Sequence, residues 1–398
     1  MKAVFESAWV CLIQDCLTNQ EASGFSGTFI LKAMKTKLRV LLFLMVGFWI
    51  EAVPVSAQPV INIGPLGNQS ILFWPTSAVN YVLQSTTNLA STNWVNVEDA
   101  VPVVAVTVSN ISPERYFRLY LDTDAYSGMA VIPAGFFTMG DSVDGNTSGD
   151  APVTAVYVSA FYMDTNLVNY SLWLGVYDFA TAHGYGFVHS GSAVAANHPV
   201  VKIDWYDAVK WCNARSQQEG LTVAYYTDAG LTQIYTNGET DDVYVNWAAN
   251  GYRLPTEAEW EKAARGGLDY QRFPWGNTIS QSLASYYGDT NSYSYDLGPN
   301  GFNPIAFPSD PWTCPVGSFP PNGYGLFDMA GNSGEWCWDR LGAYAGGSDP
   351  HGPTSGGWVR VLRGGGGDAR SCRCADRSMS AGASNALAGM AFRCVRAH

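Results

Sequence analysis

The chain has 398 residues, 47% of them hydrophobic and only 14% charged, against about 25% charge in an average soluble protein. That excludes disorder over most of its length and allows two or three domains, each able to bury a core. It carries 14 Trp, 22 Tyr, 18 Phe and 41 Gly, a composition of many turns held by aromatic packing. A formal charge of −12 excludes nucleic acid as a partner, because a phosphate backbone calls for a surplus of Lys and Arg.

From Met34 the sequence runs through Lys35, Lys37 and Arg39, an apolar stretch over 40–50, and the small-residue site Val55-Ser56-Ala57. This order is that of a signal peptide over 34–57. The apolar stretch has 11 residues, short of the roughly 20 that span a bilayer, so a membrane is a partner only if the leader stays uncleaved. Residues 1–33 are read as an extension preceding the true start at Met34. Removing 1–57 takes away five basic and four acidic residues and moves the formal charge from −12 to −13. The expected location is secreted, periplasmic or cell-surface. Six cysteines then remain: Cys212, Cys314, Cys337, Cys372, Cys374 and Cys394. In an oxidising compartment they are expected to be bridged, in any of 15 connectivities.

Residues 58–124 alternate strand-like runs (71–74, 81–84, 101–108 and 116–120) with turn-rich Ser85-Thr86-Thr87-Asn88 and Ser91-Thr92-Asn93. This predicts a small antiparallel β module. Through Leu83-Gln84-Ser85-Thr86-Thr87-Asn88-Leu89, Trp94 and Arg115-Tyr116-Phe117-Arg118-Leu119 it resembles a short β domain of secreted bacterial proteins. With no His or Cys, an adhesive or spacer role is expected of it.

From residue 127 the texture changes to short strands, three helices and long Gly/Asn/Pro loops. Asn169 can cap the first helix, with Trp173 and Tyr177 one turn apart. Asp204 and Asp207 open the second, placing Ala208, Val209 and Cys212 on a buried face. In the third, Thr256-Glu257-Ala258-Glu259 is a capping box, and Gly266-Gly267 stops the helix after Arg265. The five histidines show no closely spaced ligand pattern. The seven arginines between 360 and 396 read as guanidiniums that pin loops, and the run 364–367 reads as a tight backbone turn, since no Lys-Ser/Thr follows it.

Ten segments in order then carry a resemblance. They include Val131-Ile132-Pro133-Ala134-Gly135, His198-Pro199-Val200-Val201, Gly251-Tyr252-Arg253-Leu254-Pro255-Thr256-Glu257-Ala258-Glu259-Trp260, Phe273-Pro274-Trp275-Gly276-Asn277, Gly325-Leu326-Phe327-Asp328-Met329-Ala330-Gly331-Asn332, Glu335-Trp336, Arg363-Gly364-Gly365 and Phe392-Arg393. Residues 127–398 resemble the sulfatase-modifying factor family of formylglycine-generating enzymes and their relatives. The resemblance implies an α+β fold, irregular, loop-rich and related to C-type lectins. It also implies a structural calcium ion on Asp328, Glu335 and the carbonyls of Gly331 and Ser333, a hard oxygen set of the kind calcium takes; the alternative is that Asp328 caps its turn and Glu335 pairs with an arginine.

Family enzymes oxidise a cysteine of a client sulfatase through copper(I) on two thiolates. Those two cysteines fall between counterparts of Arg363-Gly364-Gly365 and Arg373-Cys374-Ala375, where this chain is several residues too short. The copper pair is therefore expected to be missing and copper is not expected as a cofactor. The family implies a Cys212–Cys394 disulfide. Cys337 with Cys372 is the next pairing, which leaves Cys314 with Cys374. The alternative catalytic reading makes Cys372 and Cys374 a soft-metal pair, since a Cys-x-Cys spacing puts both sulfurs on one face of an extended strand. The function expected is an exported binding or accessory module whose partner is a protein or glycan, held by exposed Trp and Tyr within 278–358. The competing function is a rearranged copper oxidase acting on a client sulfatase.

Overall fold

The computed structural model describes residues 30–33, 39–41, 61–66, 69–73, 81–87, 95–96, 105–109, 115–121, 128–145, 150, 152–353 and 357–398. They fall into two units, residues 1–122 and 123–398.

The first unit is all β: β1 (Ile30–Ala33), β2 (Arg39–Leu41), β3 (Asn62–Leu66), β4 (Gln69–Phe73), β5 (Tyr81–Thr86), β6 (Val95–Asn96), β7 (Ala105–Ser109) and β8 (Arg115–Leu121). One sheet has the order β2-β1-β8-β5-β6 and the other β3-β4-β7, with every pairing antiparallel. Leu83 and Phe117 are buried on the larger sheet and Leu72 on the smaller. The strands expected from the sequence are present, although 74 and 101–104 lie outside the described residues. β1 and β2 fall in the segments read as extension and leader. The rest of that stretch, 1–29, 34–38 and 42–57, is outside the described residues.

The second unit contains β9 (Met129–Ile132), β10 (Gly135–Met139), β11 (Thr154–Val158), β12 (Phe161–Asp164), α1 (Tyr170–Ala182), α2 (Trp205–Gln218), β13 (Tyr225–Tyr226), β14 (Tyr244–Val245), α3 (Glu257–Arg265), β15 (Gly334–Arg340), β16 (Gly347–Ser348), β17 (Val359–Arg363), β18 (Ala381–Gly382), β19 (Met390–Ala391) and β20 (Val395–Ala397). The strands make small sheets, β20-β12-β9, β10-β11-β16, β13-β14 and β18-β17-β15-β19. This is the loop-rich α+β architecture that few helices and many Gly and Asn turns dictate.

All three helices begin at the expected caps. The Asn169 side chain accepts the Leu172 amide, Asp204 accepts that of Asp207, and Thr256 and Glu259 form the reciprocal box. α3 ends at Gly266 with φ +57, the left-handed cap that costs glycine nothing. Stacked and edge-on rings fill the larger core: Trp173 on Trp211 with centroids 5.8 Å apart, and both against Phe392. Trp205 and Trp336 are fully buried in it. A second cluster packs Ala258, Trp260, Ala263 and Ala264 of α3 against Ala130, Val156, Phe161 and Val361.

Candidate functional site

Two neighbouring features make the face where chemistry or binding could occur: the loop after β17, over 364–377, and an aromatic ledge beside it. The loop is built from arginine outward. Arg363, at the end of β17, is fully buried and is gripped by Glu261 of α3, with Glu257 at 3.5 Å. Glu261 also holds Arg265 at 2.7 Å. Arg377 takes both carboxylate oxygens of Glu257, at 2.6 and 2.8 Å. Arg373 reaches Asp141 at 2.7 Å, Asp144 at 3.2 Å and Asp376 at 3.2 Å. The loop-pinning role read for the arginines is the one these contacts perform. Breaking one partner of such a buried pair costs roughly 3–5 kcal/mol, because the other charge is left uncompensated.

The turn at 364–367 is as tight as its glycines allow. Gly365 has φ +27, and a Cβ there would meet the Ser371 carbonyl at 2.6 Å. Residues 369–375 continue as turns rather than as an extended strand. Cys372 and Cys374 therefore do not share a face. Cys372 packs with Phe273, Ile279, Ala284 and Tyr286, and its Sγ faces the Gly365 carbonyl at 3.5 Å. Cys374 enters the other cluster, with Trp260, Leu326 and Cys337. Burial pushes the Cys372 thiol far up and that of Cys374 to about 12, the reverse of what a thiolate nucleophile or metal ligand needs. A copper pair does not fit these two residues.

The remaining cysteines are equally buried. Cys212 and Cys394 face each other with sulfurs 3.7 Å apart, next to one another but farther than the roughly 2.05 Å of a bond. Cys337 lies in the α3 cluster, apart from Cys372, and Cys314 is buried with its amide donating to Asn332.

The four residues nominated for calcium occupy one turn and the start of β15. Asp328 has φ +56 and Gly331 φ +86. Asp328 Oδ2 accepts the Gly317 amide at 2.8 Å, whereas Oδ1 is buried without a hydrogen-bond partner. Burial raises this carboxyl to about 6. The Gly331 carbonyl accepts the Ser333 amide at 2.9 Å, and the Ser333 hydroxyl sits 3.4 Å from the Gly334 carbonyl. Glu335 is engaged on both oxygens: Arg393 donates at 2.7 and 2.8 Å and the Trp260 indole at 2.9 Å.

The ledge is hydrogen-bonded to the loop through the Tyr287 amide and the Gly367 carbonyl, 2.7 Å apart. Phe302 stacks on Trp312 at 3.8 Å and meets Tyr287 edge-on at 5.0 Å. Tyr287 and Phe302 are nearly half exposed, and Leu297, Ile305 and Phe307 extend the apolar surface. Of the rings expected to be exposed, Tyr286 and Trp336 are instead core, and Trp358 is exposed at 68%. One group that sequence reasoning passed over is His189 with Asp204 and Asp207, whose ligand atoms lie within 4.8 Å of one another. His189 stands fifteen and eighteen residues before the two carboxylates, which hides it from any spacing rule.

Comparison with known proteins gives the chain's family. The chain is 34% identical over 297 residues to the formylglycine-generating enzyme of Bos taurus, covering 68% of this chain and 75% of that protein. It is 29% identical over 230 residues to the inactive C-alpha-formylglycine-generating enzyme 2 of Mus musculus, over 55% of this chain and 71% of that one. Among solved structures it resembles Treponema denticola variable protein 1, at a TM-score of 0.51 and 27% identity, over 68% of this chain and 95% of that one. Residues 121–398 match the sulfatase-modifying factor enzyme 1-like domain, and the chain belongs to that family.

Proposed function

We propose that this chain is an exported binding or accessory member of its family, one that presents the ledge of Tyr287, Phe302 and Trp312 to a glycan or peptide and carries out no copper chemistry. The separate burial of Cys372 and Cys374 in two apolar clusters supports this reading above all, since a soft metal needs two thiolates converging on one point. Stacked, partly exposed rings beside polar loops are the means by which sugars and peptide side chains are held. The basic, apolar and small-residue order of 34–57 supports export.

A structural calcium ion at Asp328, Gly331, Ser333 and Glu335 belongs to the same proposal. The unpartnered, buried Oδ1 of Asp328 supports it. To complete its oxygen shell the ion would compete with Arg393 for Glu335.

Identity of 34% to a formylglycine-generating enzyme favours a second reading, an oxidase acting on the cysteine of a client sulfatase. One experiment separates them. Thiols are counted in the native and the unfolded protein, copper is measured after reconstitution under reducing conditions, and a peptide with the Cys-x-Pro-x-Arg pattern is incubated with the product. The binding reading expects no reactive native thiol, no stoichiometric copper and an unchanged peptide. Two native thiols with one copper and a converted peptide would overturn it.

A further inference from the structure

His189, in the loop after α1, meets the N-terminus of α2 at a buried pair of carboxylates. Asp204, the cap of that helix, accepts the Asp207 amide on Oδ1 at 2.7 Å. Its other oxygen, Oδ2, is fully buried and accepts no hydrogen bond. The ring nitrogen Nδ1 of His189 lies 3.3 Å from that oxygen and 3.1 Å from Asp207 Oδ2. Asp207 Oδ1 is turned away, toward Lys210 Nζ at 3.0 Å and the Val188 amide at 3.1 Å, and Lys210 is itself tied to the Gly186 carbonyl at 2.6 Å. Asp207 Oδ2 also accepts the His189 amide at 2.8 Å.

The result is three donor atoms of two types facing one point, with Asp204 held at the helix cap through its other oxygen and Asp207 held through both of its oxygens. A tetrahedral ion with bonds of about 2.0–2.1 Å sets its ligands about 3.3–3.4 Å apart, close to the separations from Nδ1 to the two carboxylates. One imidazole and two carboxylates suit zinc and its neighbours in the first transition row. Two acidic side chains crowded beside one lysine make a site that a divalent ion suits, with a water, hydroxide or anionic fourth ligand to complete its shell. The His189 side chain is 32% exposed while both carboxylates are fully buried, so an ion has an entry on the histidine side.

We propose that His189 Nδ1, Asp204 Oδ2 and Asp207 Oδ2 bind a divalent transition-metal ion of the zinc class, which fastens the 184–192 loop to the start of α2. The ion would add to the hydrogen bonds that already join this loop to α2, from the Val188 and His189 amides to Asp207 and from Lys210 to the Gly186 carbonyl.

The test uses the full chain, freed of metal by chelator and passed through a desalting column after incubation with zinc or cobalt(II). The expected result is one zinc retained per chain, a higher unfolding midpoint with zinc than with chelator, and visible cobalt bands of tetrahedral type without a sulfur charge-transfer band. Asp204→Asn keeps an oxygen for the helix cap, so its midpoint in chelator should match that of the unsubstituted chain while its zinc affinity falls at least tenfold. His189→Gln should lose zinc likewise. No retained zinc, equal retention by both variants, or a cobalt spectrum dominated by thiolate overturns the proposal. So does a His189→Gln chain destabilised equally with and without zinc, for then the histidine contributes only its own packing and hydrogen bonds.

Discussion

Lys262 shows at a single residue how this fold treats charge. Its ammonium points from α3 into the sheet side and donates to the carbonyls of Gly135 and Val158 at 2.9 and 3.1 Å. Loss of solvent lowers its pKa to about 8. The unfolded lysine keeps its proton to about pH 10.4, so between about pH 8 and 10.4 the unfolded chain binds more protons than the folded one, and folding gains stability as pH rises through that window. Lys262→Met removes the titration. Subtracting the variant's denaturation free energy from that of the unsubstituted chain should leave a difference that climbs from pH 8 to pH 10; a flat difference would show that the amine stays protonated. Most of the buried arginines, in contrast, have carboxylates in contact and stay charged. Their type and number were legible in the sequence, but their partners were not, because Arg377 and Glu257, or Arg373 and Asp141, meet only through the tertiary fold. The same limit hid His189, whose two carboxylates were read only as helix-start signals.

At the scale of elements, local rules carried furthest. The three helices start where Asn169, Asp204 and Thr256 place them, since a cap is decided by a side chain and an amide three residues away. Thr256→Ala deletes the acceptor for the Glu259 amide, 3.2 Å distant, and should cost about 1 kcal/mol, seen as a fall of roughly 2–4 °C in the unfolding midpoint. Thr256→Ser should recover most of it. The extended Cys-x-Cys strand was misjudged for the converse reason. Asp368 accepts the Ser371 amide at 2.9 Å and the Tyr293 hydroxyl, and such side-chain bonds fold 368–375 into turns that no alternation of residue types announces.

For the whole molecule, loops rather than regular elements hold the second unit together, and the family resemblance made that legible where periodicity could not. The calcium proposal is tested at this scale. With calcium at saturating concentration the unfolding midpoint should exceed that in chelator, and Asp328→Asn should abolish the difference while leaving the zinc response intact. A midpoint indifferent to calcium would leave Arg393 as the only cation at Glu335. Among the described residues no helix is long and apolar enough to cross a membrane.

The buried ion pairs also impose an order of assembly. Glu257, Glu261 and Glu335 find their guanidiniums on residues that are 120, 102 and 58 positions later in the chain, and β12 receives its neighbour β20 only after more than two hundred residues. Arg265 and Arg253 neutralise Glu261 and Glu259 from within the same stretch of chain, but a ribosome releases Glu257 and Glu335 well before their guanidiniums. Until residues 363–397 emerge, those two acids cannot be buried at low cost, and the nascent domain must keep them wet. Closure of the core and neutralisation of its acids are then a single late event, which ties the domain's folding to completion of its last forty residues.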